Sequence, residues 1–351
     1  MIGLTLGAGA PALVPLILAT APHVPASARR ELEKWIVDHP GVVQHTVNGG
    51  GGLLEGLWDG VTPLAPGGPL GVPLFAPDTA AAAGLLAATY GGDGAARVSR
   101  TRCSVVGGTT QPASLTDLVA HLQDVARLSP NPGSPLNGTI EVQTIDAGTD
   151  DVRHIVYLPG TDDLATLPWT RDGDVRDMLT NLLLIAGEGN AYQEGILDAM
   201  ALAGVGPDDP VLLVGHSQGG MEAAAILSEG SGFNVTDVVT AGSPTAQVDG
   251  FPDGSHVLSL EHEGDVVPLL DGADNPDSVE QTTVTFDDHG SGVLDNHEYS
   301  HYVAGAAAVD ASTDPSVLDQ LASLRDRGFL AGSGGGSASV TAHVFQVVRE
   351  P

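Results

Sequence analysis

The sequence predicts an α/β fold built on a mostly parallel central sheet flanked by helices, and three observations predict it. From Thr139 onward, short apolar runs of strand length alternate with longer segments of helical period. One of those runs, 210–215, passes through a tight glycine turn straight into small-residue helix sequence. The chain has 351 residues of which 42% are hydrophobic, enough to bury the core of one large domain or of a domain with an appendage.

Taken in order, residues 1–130 read as a helical N-terminal or cap region and 131–351 as an α/β catalytic domain. The first 21 residues carry no charge, contain Pro11 and Pro15, and precede the first basic residue, Arg29. Lacking a positive n-region, the run is expected to be an apolar packing segment rather than an export signal or a membrane span, which leaves cytoplasmic and secreted locations both open. Ser27 can cap a helix whose apolar face is Leu32, Trp35, Ile36 and Val43. Four glycines at 49–52 and the Pro/Gly-rich stretch 63–77 break regular structure, and helical patches resume at 79–90 and 114–128. SPNPGSPLNG at 129–138 suits a boundary. Strands are then expected at 139–145, 153–158, 210–215, 234–242 and 256–262, and helices at 174–187, 190–204, 218–229 and 316–327. After the glycine-rich turn 332–339, residues 340–349 read as a last strand.

Charge narrows the partners. There are 44 acidic against 13 basic side chains, a net −31, and residues 1–130 hold only 9 of the acids and 7 of the bases. The acidity therefore belongs to residues 131–351, where it excludes nucleic acid and anionic membrane surfaces as partners of the whole chain. The single cysteine, Cys103, cannot form an internal disulfide. Oligomeric state is not encoded in any pattern here.

PVLLVGHSQGGMEAAAIL carries the chemistry. Gly215-His216-Ser217-Gln218-Gly219 is a G-x-S-x-G sequence between an apolar strand and a helix of small residues. A serine on such a turn sits in strained backbone, so the positions two before and two after it must be almost free of side chain, as Gly215 and Gly219 are. The turn presents the Ser217 hydroxyl at the carboxyl edge of the strand.

A serine hydroxyl needs a base, and the base an orienting acid. With the order Ser, acid, His, the acid should follow a later strand end, where Asp265 stands, with Glu261, Glu263 and Asp271 competing. Of the later histidines, His289 sits in an acidic turn and His343 in the last strand. His297 and His301 flank a loop-to-helix entry; His297, earlier in the loop, is preferred as base and His301 is the alternative. An oxyanion would need two backbone N–H donors, expected from Gln218, after the nucleophile, and Thr161, after the 153–158 strand. Trp169, Leu179, Leu182 and Leu183 are candidates for an acyl pocket or for the core of a crossover helix.

PGT (159–161), GHSQGG (215–220), TAGSP (240–244) and DVVP (265–268), followed by a histidine and a tyrosine, stand in the order of the class 3 lipase-like group of α/β-hydrolases, which the chain resembles over about residues 139–310. Residues 180–220 also resemble uncharacterised actinobacterial α/β-hydrolases. The resemblance implies the α/β-hydrolase fold, adds weight to Asp265 and Thr161, and implies a serine esterase or lipase-like enzyme acting on a small-molecule or lipid ester. Fungal members of that group carry His-x-x-Tyr, whereas His297 stands five before Tyr302 and His301 directly before it. No cofactor or metal is expected, since the acidic loops at 246–295 lack the regular spacing of a calcium loop. An acyltransferase, thioesterase or peptidase could use the same triad, and a non-catalytic interaction protein could use the same scaffold.

Overall fold

The computed structural model describes residues 79–350 except 147, 277, 291, 293, 294 and 333–337. The expected apolar run at 1–21, the helix after Ser27 and the breaks at 49–52 and 63–77 lie outside the described residues.

Among the described residues eight strands form one sheet: β1 (Ala95–Arg100), β2 (Thr139–Ile145), β3 (Arg153–Leu158), β4 (Pro210–His216), β5 (Asn234–Ala241), β6 (His256–His262), β7 (Gln281–Phe286) and β8 (Val340–Glu350). Their spatial order is β1-β8-β2-β3-β4-β5-β6-β7. Pairing is parallel from β3 through β7 and antiparallel among β1, β8, β2 and β3. Among the described residues seven helices flank it: α1 (Thr79–Ala88), α2 (Leu115–Ala126), α3 (Met178–Ile185), α4 (Ala191–Ala203), α5 (Gln218–Glu229), α6 (Tyr299–Asp310) and α7 (Pro315–Asp326). This is an α/β fold with a mostly parallel sheet.

The two-residue period of a strand divides the core. Ile155, Tyr157, Leu212 and Val214 face α2, α6 and α7, while Val156, Leu158, Val211 and Leu213 face α4 and α5. Helix boundaries follow their caps. Ser114, Asp177 and Asn190 each accept a backbone N–H of the first turn, from Asp117, Thr180 and Gln193, so α3 begins at Met178 rather than at 174.

The expected boundary at 130/131 is not a boundary of packing. β1, from the front part, pairs along its whole length with β8, and α2 buries Leu115, Leu118, Val119, Leu122 and Val125 in the same core as β3 and β4. The segment 129–138 is a connection inside one body: the Ser129 hydroxyl donates to Asn137 and Asp162, and Asn137 donates to Asp174. β1 and β7 were not expected from sequence, and β7 lies within the stretch read as acidic loop.

Candidate functional site

The carboxyl edge of the parallel strands gathers the expected residues. Ser217 follows β4 with φ 52° and ψ −123°, a conformation costing on the order of 1–3 kcal/mol in a non-glycine residue. Its N–H donates to Ala241 O at the end of β5 (2.9 Å). Both flanking glycines are required by contact: a Cβ at Gly215 would overlap the Gly219 and Gly220 backbone, and one at Gly219 would overlap the Leu158 carbonyl. The TAGSP residues belong to the same turn, since a side chain at Gly220 would strike Ser243.

Asp265, just past β6, is 3% exposed, and its carboxylate is fully engaged. Oδ1 accepts the Val267 N–H (2.9 Å); Oδ2 accepts from the Tyr302 hydroxyl and from His297 Nδ1, both at 2.6 Å. Burial and the nearby Asp265 charge push the Tyr302 phenol well above its usual range, so it stays a donor. A proton on Nδ1 leaves His297 Nε2 as the basic nitrogen. The ring lies over Gly242: a Cβ there would stand 3.1 Å from His297 Cε1 and 2.8 Å from the Tyr302 hydroxyl oxygen. Ser217 thus borders Ala241, and His297 the next residue, Gly242. Their side chains share no hydrogen bond in this structure, a looseness common in such pairs before substrate tightens them.

His216, between β4 and Ser217, joins this turn to His297. Its Nε2–H donates to His297 O (2.9 Å), and its ring stacks on Tyr299 at 4.0 Å and on His297 at 4.6 Å. Burial, then the neighbouring His297, hold its pKa well below 6.5, so it remains neutral.

On the other side of Ser217 lies the loop after β3. A Cβ at Gly160 would stand 3.0 Å from Ser217 Cβ, and Gly160 N–H donates to the Tyr299 hydroxyl (3.0 Å). Neither Thr161 N–H nor Gln218 N–H has an acceptor among the described residues. Asn181 ties the two residues together. Its Oδ1 accepts from Gln218 Nε2 (2.9 Å), and its Nδ2 donates to the Thr161 hydroxyl (3.1 Å). Gln218 Nε2 also donates to Asp177 O (2.9 Å), the cap of α3. Sequence reasoning missed Asn181, Tyr302 as a partner of Asp265, and the tie made by His216; an amide side chain inside the mostly apolar α3 was the available signal for the first.

The other candidates are elsewhere. Glu261 accepts from Asn275 (2.7 Å), Asp271 accepts the Ala246 N–H (2.8 Å), and Glu263 is exposed. Burial, then Asp271, raises Glu261 to about 7, and burial raises Asp271 to about 6. His289 is exposed beside Asp287, and His343 lies in β8 bonded to Arg100. Leu179, Leu182 and Leu183 pack against Ala82, Ala83 and Ala87 of α1 and Met221 of α5; they are core, and Trp169 is exposed.

His301 faces away from Asp265. Its Nδ1 bonds Asp288 (2.7 Å) and its Nε2 lies 3.5 Å from Asp295. Ligand-type atoms of His262, Asp288 and His301 lie within 4.8 Å of one another, the group most able to hold a metal ion among the described residues. Gly264 N–H, however, donates to His262 Nδ1 (2.9 Å), so Nε2 carries the ring proton and gives it to Asp288 (2.9 Å). A metal-bound imidazole would need the opposite tautomer. The arrangement is that of a hydrogen-bonded cluster.

Among the described residues, no helix is long and apolar enough to cross a membrane. The chain matches no protein-family model and no curated protein.

Proposed function

We propose that the chain is a serine hydrolase of carboxylic esters on an α/β-hydrolase fold, with Ser217 as nucleophile, His297 as base and Asp265 as orienting acid. The observation that carries this reading is the 2.6 Å bond from His297 Nδ1 to buried Asp265, made beside a serine held at φ 52° after a parallel strand. In this reading Ser217 Oγ attacks the ester carbonyl as its proton passes to His297 Nε2, and Asp265 stabilises the imidazolium. The Thr161 and Gln218 N–H groups take up the charge on the carbonyl oxygen, held in place by Asn181. His297 then gives the proton to the leaving alcohol, and a water deprotonated by the same histidine releases the acid. The net charge of −31 favours neutral esters over anionic ones.

A fluorophosphonate tests it directly. Ser217 Oγ would bond to phosphorus, fluoride would leave, and the hydroxyl proton would go to His297. Stoichiometric labelling seen by intact mass, absent in Ser217→Ala, supports the reading. A folded protein that neither labels nor turns over p-nitrophenyl acetate would refute it.

A further inference from the structure

A cavity of about 330 Å³ opens between the C-terminal end of α2 and the loop Gly160–Asp162. It shares Gly160 and Thr161 with the candidate oxyanion loop, and Gly160 in turn abuts Ser217. At roughly 30 Å³ per water-sized group, it has room for about ten non-hydrogen atoms. A group bonded to a carbonyl seated on the Thr161 N–H is therefore next to this space.

The walls select chemistry. Ala126 and Pro130 are its only aliphatic side chains; Gln123, Arg127, Ser129, Asp162, Arg176 and Glu298 supply polar surface, and Tyr299 a ring. Two of the three charge sets are matched, since Arg127 pairs with Asp124, and Arg176 with Asp162, which also accepts from Ser129; the third, the exposed Glu298 carboxylate, has no ion-pair partner among the described residues. One water-screened carboxylate opposes an anion and offers a cation little, which leaves a neutral polar group as the best fit. Arg176 is only 1% exposed and holds the wall together by donating to the Gly160 carbonyl and to Asp162, so the polar groups that meet water at this cavity are those of Gln123, Arg127 and Glu298. An alkyl chain would have to strip water from these groups and return nothing.

We propose that this cavity receives a small, neutral, oxygen-bearing half of the ester, a hydroxylated or ether-containing group, and that the site discriminates against long alkyl chains. The proposal rests on the serine-hydrolase reading and names the substrate class for it.

Two fluorophosphonates test it, one with a tri(ethylene glycol) chain on phosphorus and one with a decyl chain, each rate of Ser217 labelling divided by that probe's own hydrolysis rate in buffer. The glycol probe should label about tenfold faster or more. The double variant Gln123→Leu with Arg127→Leu makes the wall apolar without touching the triad or the oxyanion donors, and it should bring the ratio to about one or invert it. A diethyl fluorophosphate, too small to use the cavity, should label both proteins alike and shows that the variant is folded. Faster labelling by the decyl probe, or a ratio the variant leaves unchanged, overturns the cavity assignment while the serine reading stands. No labelling by any probe overturns both.

Discussion

Substituting each of the two neighbouring histidines separates the proposed base from its neighbour, and the structure sets the size of each effect. His297→Ala removes the imidazole that Asp265 orients at 2.6 Å and leaves the Ser217 hydroxyl without a proton acceptor. Loss of such a base lowers turnover on the order of 10⁵-fold, about 7 kcal/mol of transition-state stabilisation, with the oxyanion donors and binding keeping the remainder. His301→Ala removes a ring bonded to Asp288 and close to Asp295, neither of which touches the triad. That loss should cost about 1 kcal/mol of stability and less than about fivefold in turnover. The assay is kcat and KM for a short and a long p-nitrophenyl ester, with circular dichroism to confirm folding. If His301→Ala loses more than about 10³-fold while His297→Ala keeps most of its activity, the geometry has been misread and the base must be moved.

Three further outcomes are expected. Asn181→Ala should lower kcat about 10- to 100-fold with little change in KM, because it frees the Thr161 loop without removing a donor; an unchanged kcat in steady-state kinetics would show that the loop holds itself. Glu261→Gln tests burial: a carboxyl held at about 7 against 4.5 is stabilising below the unfolded value and loses that advantage as pH rises through the folded one. The substitution should therefore raise stability by about 1–3 kcal/mol near pH 8, read from urea melts, and leave it the same or lower near pH 4. Zinc and EDTA should each leave the melting temperature within about 1 °C, since the ring proton on His262 Nε2 opposes a metal; a zinc-dependent rise lost in Asp288→Asn would show the cluster to be a metal site.

What could be read from the sequence follows where the physical constraint is local. β4 and β3 are legible because VLLVG and IVYL are unbroken apolar or small runs, as burial between two helix layers requires, and β2, β5, β6 and β8 because β-branched and apolar residues recur through TIEVQTI, NVTDVVTA, HVLSLEH and VTAHVFQVV. β1 and β7 are the sheet edges, half exposed and held by one ladder each, so AARVSR and QTTVTF need no apolar run and show none. The same distinction applies to the site. The elbow is legible because its backbone strain forces glycine at two fixed offsets. The choice between His297 and His301 is not, because both satisfy the chain order and only the packing of α6 decides which ring turns to Asp265 and which to Asp288. Asn181 lies 36 residues before Ser217 in sequence and meets Gln218 only across the α3 and α5 contact.

The spacing of the sheet explains why these parts form one site. Ser217 follows β4 and Asp265 follows β6, two strand spacings apart, or about 9.6 Å. An imidazole with a hydrogen bond of about 2.8 Å at each nitrogen spans nearly that length, so a histidine can join the two only by lying across the end of the strand between them. That strand is β5, and it ends in Ala241 and Gly242, with Gly242 at φ +64° and His297 Cε1 and the Tyr302 hydroxyl against it. Any side chain at 242 would lift both rings off the strand end and open the span that Asp265 and His297 close. The small residues of TAGSP are thus a geometric requirement of joining Asp265 to the proposed nucleophile two strands away, and the adjacent β3 end is then the nearest edge left for the proposed oxyanion loop.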